Sequence, residues 1–117
     1  MGAPEIKGED YIVYYDPGST TVYFQGELSL GGTPEYAPIS QLLDEIIAQR
    51  PPTLTLNLTK LEFLNSTGIS MICKFIIGLR KNPPGQVVVF GSNDIPWQGK
   101  SLKNLEKLLP NLQLKLV

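Results

Sequence analysis

One stretch constrains this chain more than any other: Leu54 to Ile77, in which a β-like run passes through a short polar turn into a helical run. Thr53 to Leu58 alternates Thr and Leu, the period of a strand. From Ile69 the apolar residues Ile69, Ile72, Cys73, Ile76 and Ile77 follow the spacing of one helical face. Between the two lies Asn65-Ser66-Thr67-Gly68. Asn, Ser and Thr are preferred where a helix starts, because their side chains accept from the free N–H groups of the first turn. A strand that hands directly to a helix is half of a βαβ unit, and such units build parallel sheets.

The remaining segments repeat that alternation. Met1 to Asp10 is polar, with Pro and Gly, and reads as a loose lead-in to a domain spanning residues 11–117. Tyr11–Tyr15 and Thr21–Leu28 have strand composition and flank the turn-forming Asp16-Pro-Gly-Ser-Thr20, so a hairpin opens the domain. Gly31-Gly32-Thr33-Pro34 breaks the second strand. A helix follows, with Ile39, Leu42, Leu43, Ile46 and Ile47 on one face and Pro38 near its first turn. Arg50-Pro51-Pro52 ends it. The next helix is expected over Thr67–Arg80, closed by Lys81-Asn-Pro-Pro-Gly85. Gln86–Phe90 is a strand, Gly91–Gly99 a loop holding Trp97, and Leu102, Leu105, Leu108 and Leu109 mark a last helix before Pro110. Leu112–Val117 alternates and is expected at a sheet edge. The expected order is ββαβαβαβ: one α/β domain, a mixed and mostly parallel sheet of about five strands with three main helices.

Composition narrows function. At 117 residues the chain makes one domain. With no histidine and a single cysteine, Cys73, it can form no internal disulfide, no His/Cys metal site, and no Ser–His or Cys–His catalytic pair. Carboxylates are scattered and no glycine-rich phosphate loop is present, so no enzyme, cofactor or metal is expected. A formal charge of −1 gives no footprint for nucleic acid or an anionic membrane. No apolar run spans a bilayer and no signal peptide opens the chain, so a cytoplasmic protein is expected. Cys73, on the expected core stripe, reads as a buried, inert thiol.

The element order together with two motifs resembles the STAS domain family, and within it the single-domain bacterial anti-sigma factor antagonists. The motifs are Leu61-Glu62-Phe63-Leu64-Asn65-Ser66-Thr67-Gly68-Ile69, preceded by Leu56-Asn57-Leu58, and Gly26-Glu27-Leu28 at the end of the second strand. The resemblance covers about Tyr11 to Val117. It implies a protein-binding switch. A partner, typically an anti-sigma factor that is also a serine/threonine protein kinase, phosphorylates a hydroxyl at the start of the second helix and so ends its own binding; a phosphatase restores it. Carried over by position, the acceptor is Thr67, with Ser66 as the alternative, in a loop completed by Glu62, Asn65 and Gly68. Asn57 and Asn65 stand where the family pattern has aspartate, and Ser29 follows Gly26-Glu27-Leu28 where it has another. These departures leave open a scaffold or oligomerising module that is never phosphorylated, or a small-ligand-binding module. A homodimer is also open.

Helical geometry ranks the two hydroxyls. At 100° per residue from Ile69, Thr67 falls with Met71, Lys74 and Gly78, and Ser66 with Cys73 and Ile77. Thr67 is therefore expected to be the exposed hydroxyl and Ser66 a capping group. Met71, Lys74, Phe75 and Gly78 are expected to form the partner-binding surface beside the acceptor. A phosphate here would bring nearly two negative charges to a helix N-terminus, where the dipole favours it by ~0.3–1 kcal/mol. Modification should leave the fold intact and act on docking.

Overall fold

The computed structural model describes residues 5–81 and 83–117. Six strands form one sheet in sequence order: β1 (Glu5–Lys7), β2 (Tyr11–Asp16), β3 (Thr21–Leu28), β4 (Thr53–Leu64), β5 (Gln86–Gly91) and β6 (Leu112–Leu116). Three helices alternate with the last four strands: α1 (Thr33–Ala48), α2 (Ser66–Gly78) and α3 (Pro96–Leu108). The order is βββαβαβαβ. The pairs β1·β2 and β2·β3 are antiparallel; β3·β4, β4·β5 and β5·β6 are parallel. Each parallel crossover moves one strand in the same direction. Right-handed connections then place all three helices on one face of the sheet.

The core lies between that face and the helices. Alternate residues of the strands point into it: Val13 and Tyr15, Val22 and Phe24, Leu54, Leu56 and Leu58, Val87 and Val89 are all buried. From the helices come Ile39, Leu43 and Ile46 of α1, Ile72 and Ile76 of α2, and Leu102 and Leu105 of α3. Each fully buried Leu or Ile contributes roughly 1.5–3 kcal/mol. The opposite face carries the out-pointing residues. Tyr14 and Tyr23, partners in register, stack there with ring centroids 4.8 Å apart, and Lys115 lies 5.8 Å from the centre of the Phe90 ring. Tyr14 and Tyr23 thus pack the outer sheet face, while Tyr15 lies in the core.

Four features depart from the sequence expectation. Residues 5–7, in the supposed lead-in, form edge strand β1, with Ile6 opposite Val13; Met1 to Pro4 lie outside the described residues. Helix α1 starts at Thr33, so Pro38 sits inside it. The N–H it lacks would have reached the Pro34 carbonyl, and both prolines are exposed, so water can satisfy that carbonyl. Strand β4 runs 12 residues and continues through Thr59–Leu64, past the Thr53–Leu58 expected from the alternation. There it keeps its pairing to β3, through two register shifts, up to Leu28 opposite Leu64. Finally, Trp97 is in the first turn of α3 rather than in a loop. The third helix begins at Pro96, a residue suited to the first helical position.

The motif Gly26-Glu27-Leu28 also has a structural cause. Gly26 adopts φ 91°, and a Cβ there would come within 2.2 Å of the Asp10 carbonyl oxygen. The close approach lets the Glu27 N–H donate to that same oxygen at 2.9 Å. It lies at one of the two irregularities by which β3 follows the long β4.

Candidate functional site at the entrance of the second helix

The C-terminal ends of β3 and β4 deliver two loops to one place. The chain leaving β3 runs through Leu30 to α1, and the chain leaving β4 turns at once into α2. Asn65 joins them. Its backbone is extended (φ −76°, ψ 172°), which makes it the N-cap, and its Oδ1 accepts from the Gly68 N–H at 3.0 Å. Its Nδ2 donates to the Leu30 carbonyl at 2.8 Å, and its backbone N–H donates to the Leu28 carbonyl at 3.1 Å.

A second group completes the joint. Tyr36 of α1 is 1% exposed, and its hydroxyl donates to Asn65 Oδ1 at 2.6 Å, with the Leu28 carbonyl at 3.3 Å as the alternative acceptor. The Leu30 N–H donates back to that hydroxyl at 3.4 Å. Burial raises the Tyr36 hydroxyl above the ordinary phenol pKa, against a lowering by the Leu30 N–H, so it stays a proton donor at neutral pH. Gly68 is required by this packing. A Cβ on it would lie 2.3 Å from Leu64 Cδ1 and 2.7 Å from the Tyr36 hydroxyl.

The roles of the motif residues follow. Asn65, not Ser66, is the cap, and Ser66 is the first residue of the helix. The expected exposures are reversed: Ser66 is exposed, whereas Thr67 is half-buried. The apolar face of α2 explains this. Its buried residues are Gly68, Ile72, Phe75 and Ile76, followed by Leu79. Ile72 and Ile76 of the expected stripe are buried, but its centre is rotated by roughly a quarter turn, away from Ile69, Cys73 and Ile77 and toward Gly68 and Phe75. Ile77 is in fact 43% exposed, and Phe75 is 9% exposed. Being apolar on most sides, the helix sequence does not single out one face, and its neighbours α1 and α3 decide.

Thr67 faces α1. With Ser70, Met71, Lys74 and Phe75 it forms one wall of a groove of about 410 Å³, whose other wall includes Tyr36, Ser40, Gln41 and Asp44 of α1. Of the expected partner surface, Met71, Lys74 and the largely buried Phe75 line this groove, and exposed Gly78 lies outside it. Glu62 is exposed just ahead of the turn, and Phe63 beside it is 45% exposed. Cys73 is half-buried rather than buried as expected, and that burial raises its thiol above the ordinary pKa. Among the described residues no group of three or more His, Cys, Asp or Glu is placed to hold a metal, and no helix is long and apolar enough to cross a membrane.

Two contributors were not read from the sequence. Tyr36 precedes Ile39 by one helical turn on the buried face, a spacing that marks it as core but not as a hydrogen-bond donor. Gln98 is fully buried and belongs to a segment expected to be a loop.

No protein-family model and no curated protein matches this chain. Solved structures do. SiaC of Pseudomonas aeruginosa superposes with a TM-score of 0.75 at 12% identity, covering 100% of this chain and 98% of that one. The crystal structure of the diguanylate cyclase SiaD in complex with its activator SiaC, from the same organism, matches with a TM-score of 0.75 at 12% identity over 97% of this chain and 99% of that one. An anti-sigma factor antagonist from Mycobacterium paratuberculosis matches with a TM-score of 0.57 at 19% identity, over 96% and 84% of the two chains. Identities this low speak to architecture. The architecture of this chain is STAS-like.

Proposed function

We propose that this chain is a non-catalytic, cytoplasmic regulatory domain that binds a signalling protein through the surface around the start of α2, and that phosphorylation of Ser66 switches the binding. One observation carries the reading: Ser66 is the exposed first residue of a helix whose entry is fixed by Asn65, Tyr36 and Gly68. A kinase needs an accessible hydroxyl, and a switch needs one held in a defined place. The Ser66 and Thr67 N–H groups open the helix, so a phosphate on Ser66 would sit at the positive end of the dipole. Its bulk and charge would oppose a protein docked on exposed Phe63 and Glu62 or on the groove beside Thr67. Thr67 is the second candidate acceptor, less accessible because it faces α1.

The structural neighbours support a role in partner binding. One is an activator found in complex with a diguanylate cyclase, and another is named an anti-sigma factor antagonist. By that likeness the partner is an enzyme of signalling or an anti-sigma factor, with a serine/threonine kinase and a phosphatase setting the state of Ser66. The groove between α1 and α2 favours a second reading, a module that binds a small ligand there.

The test is a mass-spectrometric search for phosphate on the chain isolated from its own cells, alongside capture assays with Ser66→Ala, Ser66→Asp and Thr67→Ala forms. Phosphate is expected on Ser66, and a partner held by wild type and Ser66→Ala should be lost by Ser66→Asp. Equal capture by all forms, with no phosphate on either hydroxyl, defeats the switch.

A further inference from the structure

The strand that delivers Ser66 is paired on both sides in its first half and on one side only in its second. Pairing of β4 with β5 stops at Asn57 opposite Phe90, while pairing with β3 continues seven residues further, to Leu64. Residues 58–64 therefore overhang the sheet on their β5 side. Carbonyl groups there have no strand to pair with, and leaving them buried and unmade would be costly.

Side chains of α3 take the place of the missing strand. Gln98, 0% exposed, donates from Nε2 to the Leu58 carbonyl at 2.7 Å and to the Leu61 carbonyl at 2.8 Å. Its Oε1 accepts from the Ser92 N–H at 2.7 Å, which ties in the loop after β5. The neighbouring Trp97 donates from Nε1 to the Glu62 carbonyl at 2.9 Å. The amide of Gln98 has one sensible orientation, since a flip would set oxygen against two carbonyls and N–H against N–H. Gly91 leaves room for it: a Cβ there would lie 3.0 Å from Gln98 Oε1.

We propose that Gln98 and Trp97 are positioning residues for the phosphoacceptor: the first turn of α3 is a strut that holds the β4 overhang, and through it Ser66, in the geometry a kinase or partner meets. The inference rests on the function proposed above but is tested apart from it. Two residues on a helix some thirty positions further along the chain thus set the presentation of a hydroxyl they do not touch. Trp97 is also the chain's single tryptophan, so its emission reports on the overhang directly.

The test compares backbone hydrogen exchange and Trp97 emission in the full-length wild type with Gln98→Glu, which keeps the shape but replaces both donors by acceptors. Trp97→Phe, which removes one donor and keeps a ring, is followed by exchange alone. Leu105→Ala serves as a control that weakens the α3 core without touching the overhang. The expected result is that amides from Leu61 to Gly68 exchange roughly tenfold faster or more in both strut variants, while those of Leu54–Leu56 and Val87–Val89 hold. Trp97 emission should shift in Gln98→Glu. Unchanged exchange at residues 61–68, or acceleration spread evenly over the chain as in Leu105→Ala, overturns the strut. Should Gln98→Glu fail to fold, Trp97→Phe alone decides by the same criterion. An unphosphorylated Ser66 in cells would remove the switch and leave this result standing.

Discussion

The entrances of α2 and α3 occupy equivalent places, each at the C-terminal end of a parallel strand, yet they are built to opposite ends. Both begin from an extended residue, Asn65 and Ile95. At α2 the cap side chain faces inward, locking two loops, and the first helical residue is an exposed serine. At α3 the cap carries no side-chain hydrogen bond and Pro96 removes an N–H from the first turn. Its polar side chains, Trp97 and Gln98, point back at the protein's own carbonyls. One entrance presents a hydroxyl to the outside; the other spends its polar groups on support. A helix N-terminus in this fold is therefore not a binding site by position alone, and what surrounds its first turn decides.

The largest effect that would sharpen this contrast is a pair of identical substitutions. Gly68 stands in the first turn of α2 and Gly99 in the first turns of α3. Gly68→Ala forces a methyl into Leu64 and the Tyr36 hydroxyl, whereas at Gly99 a Cβ meets nothing within 4 Å. Denaturant melts should show Gly68→Ala losing about 2–3 kcal/mol, or more if the joint breaks. Gly99→Ala should gain about 0.5–1 kcal/mol, as expected for an unstrained helix position. Similar values for the two would mean that the α2 entrance is no tighter than the other.

A smaller effect separates the two jobs of Asn65. Asn65→Ala removes the cap and the bond to Leu30 together, at a cost of about 2 kcal/mol. Asn65→Asp keeps the acceptor for Gly68 and Tyr36 but loses the Nδ2 donor and sets a carboxylate oxygen against the Leu30 carbonyl. It should lose about 1 kcal/mol, measured by the same melts. If Asn65→Asp were as stable as wild type, the amide would have no role that a carboxylate could not fill. The asparagine at this motif position would then need another explanation than the link to the β3–α1 loop.

Much of this is legible in the sequence. The bounds of β3 follow from alternation between a turn and a glycine pair, and β5 follows from its unbroken apolar run. The turn at residues 65–68 stands out because Asn, Ser, Thr and Gly have distinct roles where a helix begins. What failed was whatever depended on neighbours. Of the stripe Ile69, Ile72, Cys73, Ile76 and Ile77, packing between α1 and α3 buries Ile72 and Ile76, leaves Ile69 and Cys73 half-buried and Ile77 exposed, and adds Gly68 and Phe75. That rotation exchanged the expected exposures of Ser66 and Thr67. Alternation carries the strand only from Thr53 to Leu58; it runs on to Leu64 because β3 pairs with it through its irregularities. Gln98 carried no signal at all, since a buried glutamine is recognised only by the carbonyls it meets.

The smallest effect tests whether the α2 design can be moved. Helix α1 starts after Gly32, which caps it without a side-chain hydrogen bond. Its φ of 173° is extended backbone that any residue adopts, and a Cβ there would lie 3.7 Å from Pro34 Cδ, an ordinary contact. Gly32→Asp should therefore give α1 an acceptor for the N–H of Glu35, which now bonds to the Gly32 carbonyl at 3.0 Å. The gain is limited, because glycine is itself a tolerable cap and Glu35 already stands in the first turn. An increase of a few tenths of a kcal/mol in denaturant melts is expected. A loss instead would show that the β3–α1 loop is set by its tie to Asn65 rather than by the cap of its own helix, which would make the α2 entrance the organiser of both.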